Sequence, residues 1–183
     1  MARRRTATTL VALAVGAVLL GGCVTRSKYN AMLQQQQALE SSLQAEIIAQ
    51  EVKIEQLENG IRVRMSNELL YKSGSAELHP KGRAALDKVA HQLARMVADG
   101  NQLDVIGNTD NVPVGRELAE RYPTNWELAG ARAAIVVRYL HDKGVDPTQL
   151  EAVSLAQYHP VASNDSPAGR AENRRTDLLL RPR

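Results

Sequence analysis

The sequence predicts an α/β domain in which helices pack over a mixed sheet, following a long helical segment near the N-terminus. Three observations carry that prediction. Ile61, Val63 and Met65 alternate with polar residues as a half-buried strand does. Leu86, Val89, Ala90, Leu93 and Val97 recur at the spacing of one helical face. Leu103-Asp104-Val105-Ile106 then reads as a second strand. It runs into the polar turn Gly107-Asn108-Thr109-Asp110, and a further helix opens near Asn125.

Taken in order, residues 1–22 begin with Arg3, Arg4 and Arg5, continue through an apolar run from Leu10 to Leu20, and end in Gly21 and Gly22. This is the layout of a secretory signal peptide. Leu20-Gly21-Gly22-Cys23 resembles the lipobox of bacterial lipoproteins. That resemblance implies cleavage before Cys23 and its acylation, palmitate included. Each buried methylene would contribute roughly 0.8 kcal/mol to membrane anchoring. The apolar run is short for spanning a hydrocarbon core of about 30 Å. Val24 in place of an aspartate resembles lipoproteins exported to the outer membrane.

Residues 23–59 form the second expected region, a lipid-anchored stalk. From Arg26 to Glu58 it lacks Gly and Pro and is rich in Gln, Glu, Ala and Leu, which favours helix. Tyr29, Met32, Gln36, Leu39, Leu43, Ile47, Gln50, Ile54, Leu57 and Ile61 mark a heptad-like seam with one stutter. A helix of that length would extend on the order of 50 Å. It is expected either as a coiled coil in a homo-oligomer or as a single helix packed on another surface. Asn59-Gly60 reads as its stop signal.

Residues 60–183 form the third region. Pro80 suits the first turn of a helix that stops at Gly100. After the strand from Leu103, the stretch from Asn111 to Pro123 is polar and carries Pro113 and Gly115. Thr124 and Glu127 form a capping box, opening a helix that ends at Gly144. Leu150 to Leu155 and Thr176 to Arg181 supply the remaining strands, giving helices packed over a sheet.

Charge and chemistry narrow the function. The formal charge is +3, but Arg3, Arg4 and Arg5 are the only charged residues in the leader. Without them 20 basic residues face 20 acidic ones. A near-neutral chain does not suit nucleic acid, whose binding needs concentrated positive charge. Cys23 is the only cysteine, so no intrachain disulfide forms. His79, His91, His141 and His159 show no metal-ligand spacing, and no cofactor motif is present. A wall hydrolase would need a metal cluster, a cysteine–histidine pair or paired carboxylates, and none is visible. A stator-type ion channel would need a membrane helix with a functional acid, and residues 7–22 contain none.

One residue is out of place. On a helical wheel Arg132 falls within the stripe of Leu128, Ile135, Val136 and Tyr139. A guanidinium facing a core must find an anion, because it stays charged at working pH. That anion is either a protein carboxylate or a ligand. Asp110, just past the end of its strand, stands where open α/β sheets place ligand groups.

Three motifs then make a resemblance. They are Gly107-Asn108-Thr109-Asp110, Asn125 with Leu128-Ala129-Gly130-Ala131-Arg132-Ala133, and Gly169-Arg170-Ala171-Glu172-Asn173-Arg174-Arg175. In this order and spacing, residues 60–183 resemble the OmpA-like C-terminal domain, the peptidoglycan-associating module. Asn111-Val112-Pro113-Val114 and Tyr122-Pro123-Thr124-Asn125-Trp126-Glu127-Leu128 look most like the flagellar stator branch.

The resemblance implies that Asp110 and Arg132 hold the diaminopimelate of the peptidoglycan stem peptide. Asp110 would take the ammonium, and Arg132 the carboxylate through a bidentate pair. Asn125 lies about two turns before Arg132 on nearly the same face. Its amide and the Thr109 hydroxyl are expected to donate to the ligand, and the helix N-terminus favours an anion. An internal Asp110–Arg132 salt bridge is the competing structural explanation. Arg170, Arg174 and Arg175 are expected in helix capping or ion pairs. The sequence departs from the family pattern at Asn108, where histidine is usual. It departs again at Ser154-Leu155-Ala156, where glycines flank an aromatic, and at Thr176-Asp177, where apolar residues are common. The expected function is an outer-membrane lipoprotein tethering the membrane to peptidoglycan without catalysis. The alternative is a coiled-coil scaffold or a stator-like or secretion-system anchor in which wall binding is secondary.

Overall fold

The computed structural model describes residues 9–183, with side chains from residue 26 onward. The expected leader and the lipidation of Cys23 lie outside those described side chains. No helix among the described residues is long and apolar enough to cross a membrane. The chain divides into two units, residues 1–35 and residues 36–183. In the first, residues 9–35 are helical and belong to α1, Thr9–Ser42.

The second unit begins with the end of α1, where Leu39 and the following Leu43 are completely buried. A short α2 follows, Gln44–Ile48. Two seam positions expected to face another chain or another surface are thus buried within this one.

The stalk expected to run as helix to residue 59 does not. Val52–Leu57 is a strand, β1, paired antiparallel with β2, Gly60–Ser66. The reason is legible in hindsight. Val52-Lys53-Ile54-Glu55 alternates with period two, and the alternation resumes after Asn59-Gly60, a strong hairpin signal. Leu57 pairs with Gly60, so Glu58 and Asn59 alone make the turn. The turn at Glu58 and Asn59 therefore reverses a strand, and Gly60 opens β2 where a helix stop was expected. Val52 and Ile54 face Met65 and Val63 across the pair, extending the apolar face of the sheet.

The remaining elements are α3 (Asn67–Leu70), α4 (Pro80–Ala98), β3 (Asn101–Asn108), α5 (Arg116–Ala119), α6 (Asn125–Asp142), β4 (Leu150–Ala156), α7 (Pro167–Asn173) and β5 (Arg175–Pro182). The strands and the two long helices among them lie close to expectation, and the three short helices, α3, α5 and α7, were not expected. In α4 the expected face is buried, and Gln92 on its far side donates from Nε2 to Ser42 Oγ at 2.8 Å, holding the end of α1. Both halves of the Thr124–Glu127 capping box are formed.

The five strands run in the order β1-β2-β5-β3-β4. β3 and β4 are parallel, with α6 as their crossover, and the other pairs are antiparallel. The core lies between the helices and the sheet face bearing Ile61, Val63, Met65, Leu103, Val105, Leu178 and Leu180. The opposite face carries ion pairs, among them Arg64–Asp177 and Arg181–Asp104. Thr176 and Asp177, the departures from an apolar pattern, are both satisfied, Thr176 on the core face by Tyr71 and Asn67 and Asp177 on the opposite face by Arg64 and Arg175.

Two details set the distance between β3 and α6. At Gly107 a Cβ would overlap the backbone carbonyl of Ala129, so only glycine lets the helix lie this close. Beyond it the register of β3 against β4 shifts, and Ala156 takes φ 48°. That left-handed conformation costs an alanine about 1–2 kcal/mol. It turns the Ala156 carbonyl onto the Thr109 N–H at 2.8 Å.

Candidate ligand-binding site

The close approach at Gly107 brings the end of β3 beside the first turns of α6, and the candidate residues gather there. Thr109, Asp110, Asn125 and Arg132 are all buried. Asp110 does not bond Arg132. Its Oδ1 accepts the Val112 N–H at 3.0 Å, closing the turn, and its Oδ2 accepts Arg174 Nη1 at 2.8 Å.

Arg132 is only 8% exposed. Among the described residues it has no carboxylate partner within 4.0 Å. Its Nε donates to the Ser75 carbonyl at 3.1 Å, and its guanidinium carbon stands 5.2 Å from the centre of the Tyr71 ring. Burial pulls its pKa below the ordinary arginine value, opposed by the fields of Tyr71, Glu68 and Asp110. Tyr71 is fixed in turn by donating to the backbone carbonyl of Arg132 at 3.1 Å and by a bond with Thr176 Oγ1 at 3.0 Å. The guanidinium is thus oriented by a carbonyl and a ring while its charge stays uncompensated by direct contact. The internal Asp110–Arg132 salt bridge is not formed.

Asn125 and Thr109 are placed differently from expectation. Asn125 Nδ2 donates to the carbonyls of Val112 at 3.0 Å and Asp110 at 3.3 Å. Thr109 Oγ1 donates to the Asp110 carbonyl at 2.9 Å. Both side chains spend their donors on the loop that presents Asp110, so they position the carboxylate where donation to a ligand had been expected.

Arg174 was expected in a structural pair, and it makes two. Besides Asp110 it reaches Glu68, through Nε at 2.9 Å and Nη2 at 2.7 Å. Arg170 donates to the Asn164 carbonyl, and Arg175 pairs with Asp177, away from the site. The site therefore holds two acids, Glu68 and Asp110, and two bases, Arg132 and Arg174. Such an arrangement suits a ligand group carrying adjacent positive and negative charges. Tyr71, Ser75 and Glu68 were not singled out in the sequence. They come from α3 and the loop after it, at separations of 57 to 106 residues from their partners. No local pattern encodes contacts of that range.

Asn108 is almost fully buried. Its Nδ2 donates weakly to the Ile106 carbonyl at 3.3 Å, while its backbone carbonyl accepts Asn67 Nδ2 at 3.1 Å. It supports the turn from below and leaves the acid and bases untouched. Among the described residues no group of three or more His, Cys, Asp or Glu side chains could hold a metal ion.

The OmpA family model matches residues 70–174, which takes in the turn, α6 and Arg174. The chain is 30% identical to the outer-membrane lipoprotein YfiB of Pseudomonas aeruginosa, over 93% of this chain and 92% of that one. It is 34% identical to outer membrane protein A of Bordetella avium, over 73% of this chain and 64% of that protein, so part of the latter has no counterpart here. Among solved structures, the cell wall anchor of the type VI secretion system of Pseudomonas aeruginosa superposes with a TM-score of 0.70. That match has 31% identity, covering 79% of this chain and 97% of that one.

Proposed function

This chain belongs to the OmpA family, and on that footing we propose that it binds peptidoglycan through the diaminopimelate residue of the stem peptide. The observation that carries the reading is Arg132, a buried guanidinium aligned by Ser75 and Tyr71 and touching no carboxylate. A buried cation without a counter-ion is costly, and a ligand carboxylate would relieve that cost. Asp110 and Glu68 supply the complementary charge for the ammonium on the same ligand carbon. The role is binding, with no catalytic step.

We further propose that the chain is lipidated at Cys23 and held on the periplasmic face of the outer membrane. The lipobox-like sequence and the lipoprotein relative support this. Self-association, expected through residues 26–58, would have to draw on residues 26–35 within the helix, because Leu39 and Leu43 are buried inside the chain. A second reading, the wall anchor of a secretion machine, is favoured by the likeness to the type VI anchor. Wall binding is common to both.

The test is sedimentation of the protein with purified peptidoglycan in the presence of free meso-diaminopimelate. The amino acid should release the protein from the pellet, whereas lysine blocked at both its α-amino and α-carboxyl groups, which carries an ammonium and no carboxylate, should not. Binding indifferent to diaminopimelate would contradict the reading. Mass spectrometry of the mature protein tests the anchor, with an acylated Cys23 at its N-terminus as the expected result.

A further inference from the structure

Trp126 and Tyr158 stack on each other with ring centroids 5.4 Å apart and planes inclined by 29°. They remain 46% and 60% exposed. Large aromatics left in water as a pair are unusual on a surface with no partner. Their position is specific. Trp126 follows Asn125, the residue that clamps the Asp110 loop, and its carbonyl accepts Ser154 Oγ at 2.8 Å. Tyr158 lies two residues beyond Ala156, whose carbonyl holds Thr109. Trp126 stands in the first turn of α6 and Tyr158 in the loop after β4, so both rings lie at the C-terminal ends of the parallel strands β3 and β4, the end of the sheet that carries the candidate site. Val112, beside the same loop, is 51% exposed and adds an apolar edge.

We propose that Trp126 and Tyr158 form a stacking platform for the amino sugar from which the stem peptide hangs. The inference rests on the wall-binding reading. In the stem peptide two residues separate diaminopimelate from the sugar, a reach of up to about 7 Å when extended. A peptide anchored at Asp110 and Arg132 carries its sugar to the neighbouring rim. The platform bears no charge, which suits the apolar face of a neutral pyranose and not the zwitterionic end of the ligand. Flat, rigid aromatic surfaces also provide contact area at small entropic cost.

Trp126 is the only tryptophan in the sequence, so its emission reports on the platform alone. The experiment compares the stem tripeptide with the same tripeptide attached to the N-acetylglucosamine–N-acetylmuramic acid disaccharide, by calorimetry and by Trp126 fluorescence. The disaccharide-bearing ligand should bind roughly tenfold tighter, the effect of one aromatic anchor, and only that ligand should shift the emission. Trp126→Ala and Tyr158→Ala should reduce its affinity to that of the tripeptide and leave tripeptide binding unchanged. Equal affinity of the two ligands for the unaltered protein overturns the platform while leaving the peptide site standing. Failure of both ligands to bind removes the peptide site and the platform together. An emission shift that follows protein concentration without ligand assigns the rings to a contact between copies and also overturns it.

Discussion

Arg174 Nη1 lies 2.8 Å from Asp110 Oδ2, while Arg132, two turns into α6, touches neither. The carboxylate expected to meet a ligand ammonium is thus already shared with a protein cation. That cation is drawn back by Glu68 through two further nitrogens. Glu68 sets how much negative charge Asp110 has left to offer.

Glu68→Gln should therefore weaken binding of a diaminopimelate tripeptide by about two- to fivefold, the weight of an exposed charge pair. Glu68 is more than half exposed, so the melting temperature should barely move. Raising the salt concentration should shrink the difference between variant and parent. Calorimetry at two ionic strengths checks both points. A variant that binds as the parent does at low salt removes Glu68 from the site.

Tyr71 has two separable roles. Its hydroxyl joins the Arg132 carbonyl to Thr176, and its ring lies under the guanidinium. Tyr71→Phe should cost about 1–2 kcal/mol of stability and leave ligand affinity within twofold. Tyr71→Leu, which removes the ring, should lower affinity as well, since a cation over an aromatic face contributes about 0.5–2 kcal/mol. Urea melts and ligand titrations of the pair separate these contributions.

Gly107→Ala tests how the site is assembled. The new methyl would meet the backbone of Ala129, which cannot rotate away as a side chain could. The helix must move off the sheet, at about 1–3 kcal/mol, carrying Arg132 away from Asp110. Both stability and binding should fall. A stable variant with full affinity would show that the spacing of α6 and β3 is not what sets the site.

Most of this arrangement could be read from spacing, and the part that could not has a common cause. β2, α4, β3, α6, β4 and β5 each follow a local period, and the Thr124–Glu127 cap is a four-residue signature. Arg132 announced itself as a charge on an apolar face. β1 was read as helix because Gln, Glu and Leu raise helix propensity over a long window. The pairing of Val52 and Ile54 with Met65 and Val63 overrode that preference. Tyr71, Ser75 and Glu68 were missed because their roles exist only through contacts with α6 and the Arg174 region. Asn125 and Thr109 stand beside Asp110, with their donors turned to the loop that carries it.

Acid should loosen the β1–β2 hairpin. The Lys53 hydrogen bond, with help from Arg64 and Arg62, holds the Glu55 carboxyl below its ordinary value of 4.5. The unfolded chain then binds this proton more readily than the folded one. The contribution of Glu55 is therefore complete above pH 4.5 and is lost as pH falls below it. Melts between pH 7 and pH 3 should show a shallower acid decline for Glu55→Gln than for the parent. Identical slopes would mean that the hairpin ion pairs do not contribute.

The most direct measurement of the central claim is sedimentation of Asp110→Ala and Arg132→Ala with purified peptidoglycan, alongside circular dichroism to establish folding. A charge-assisted contact contributes about 1.5–3 kcal/mol, so each variant should lose roughly ten- to 150-fold in affinity and remain in the supernatant while still folded. Folded variants that both pellet with the wall as the parent does would contradict the account.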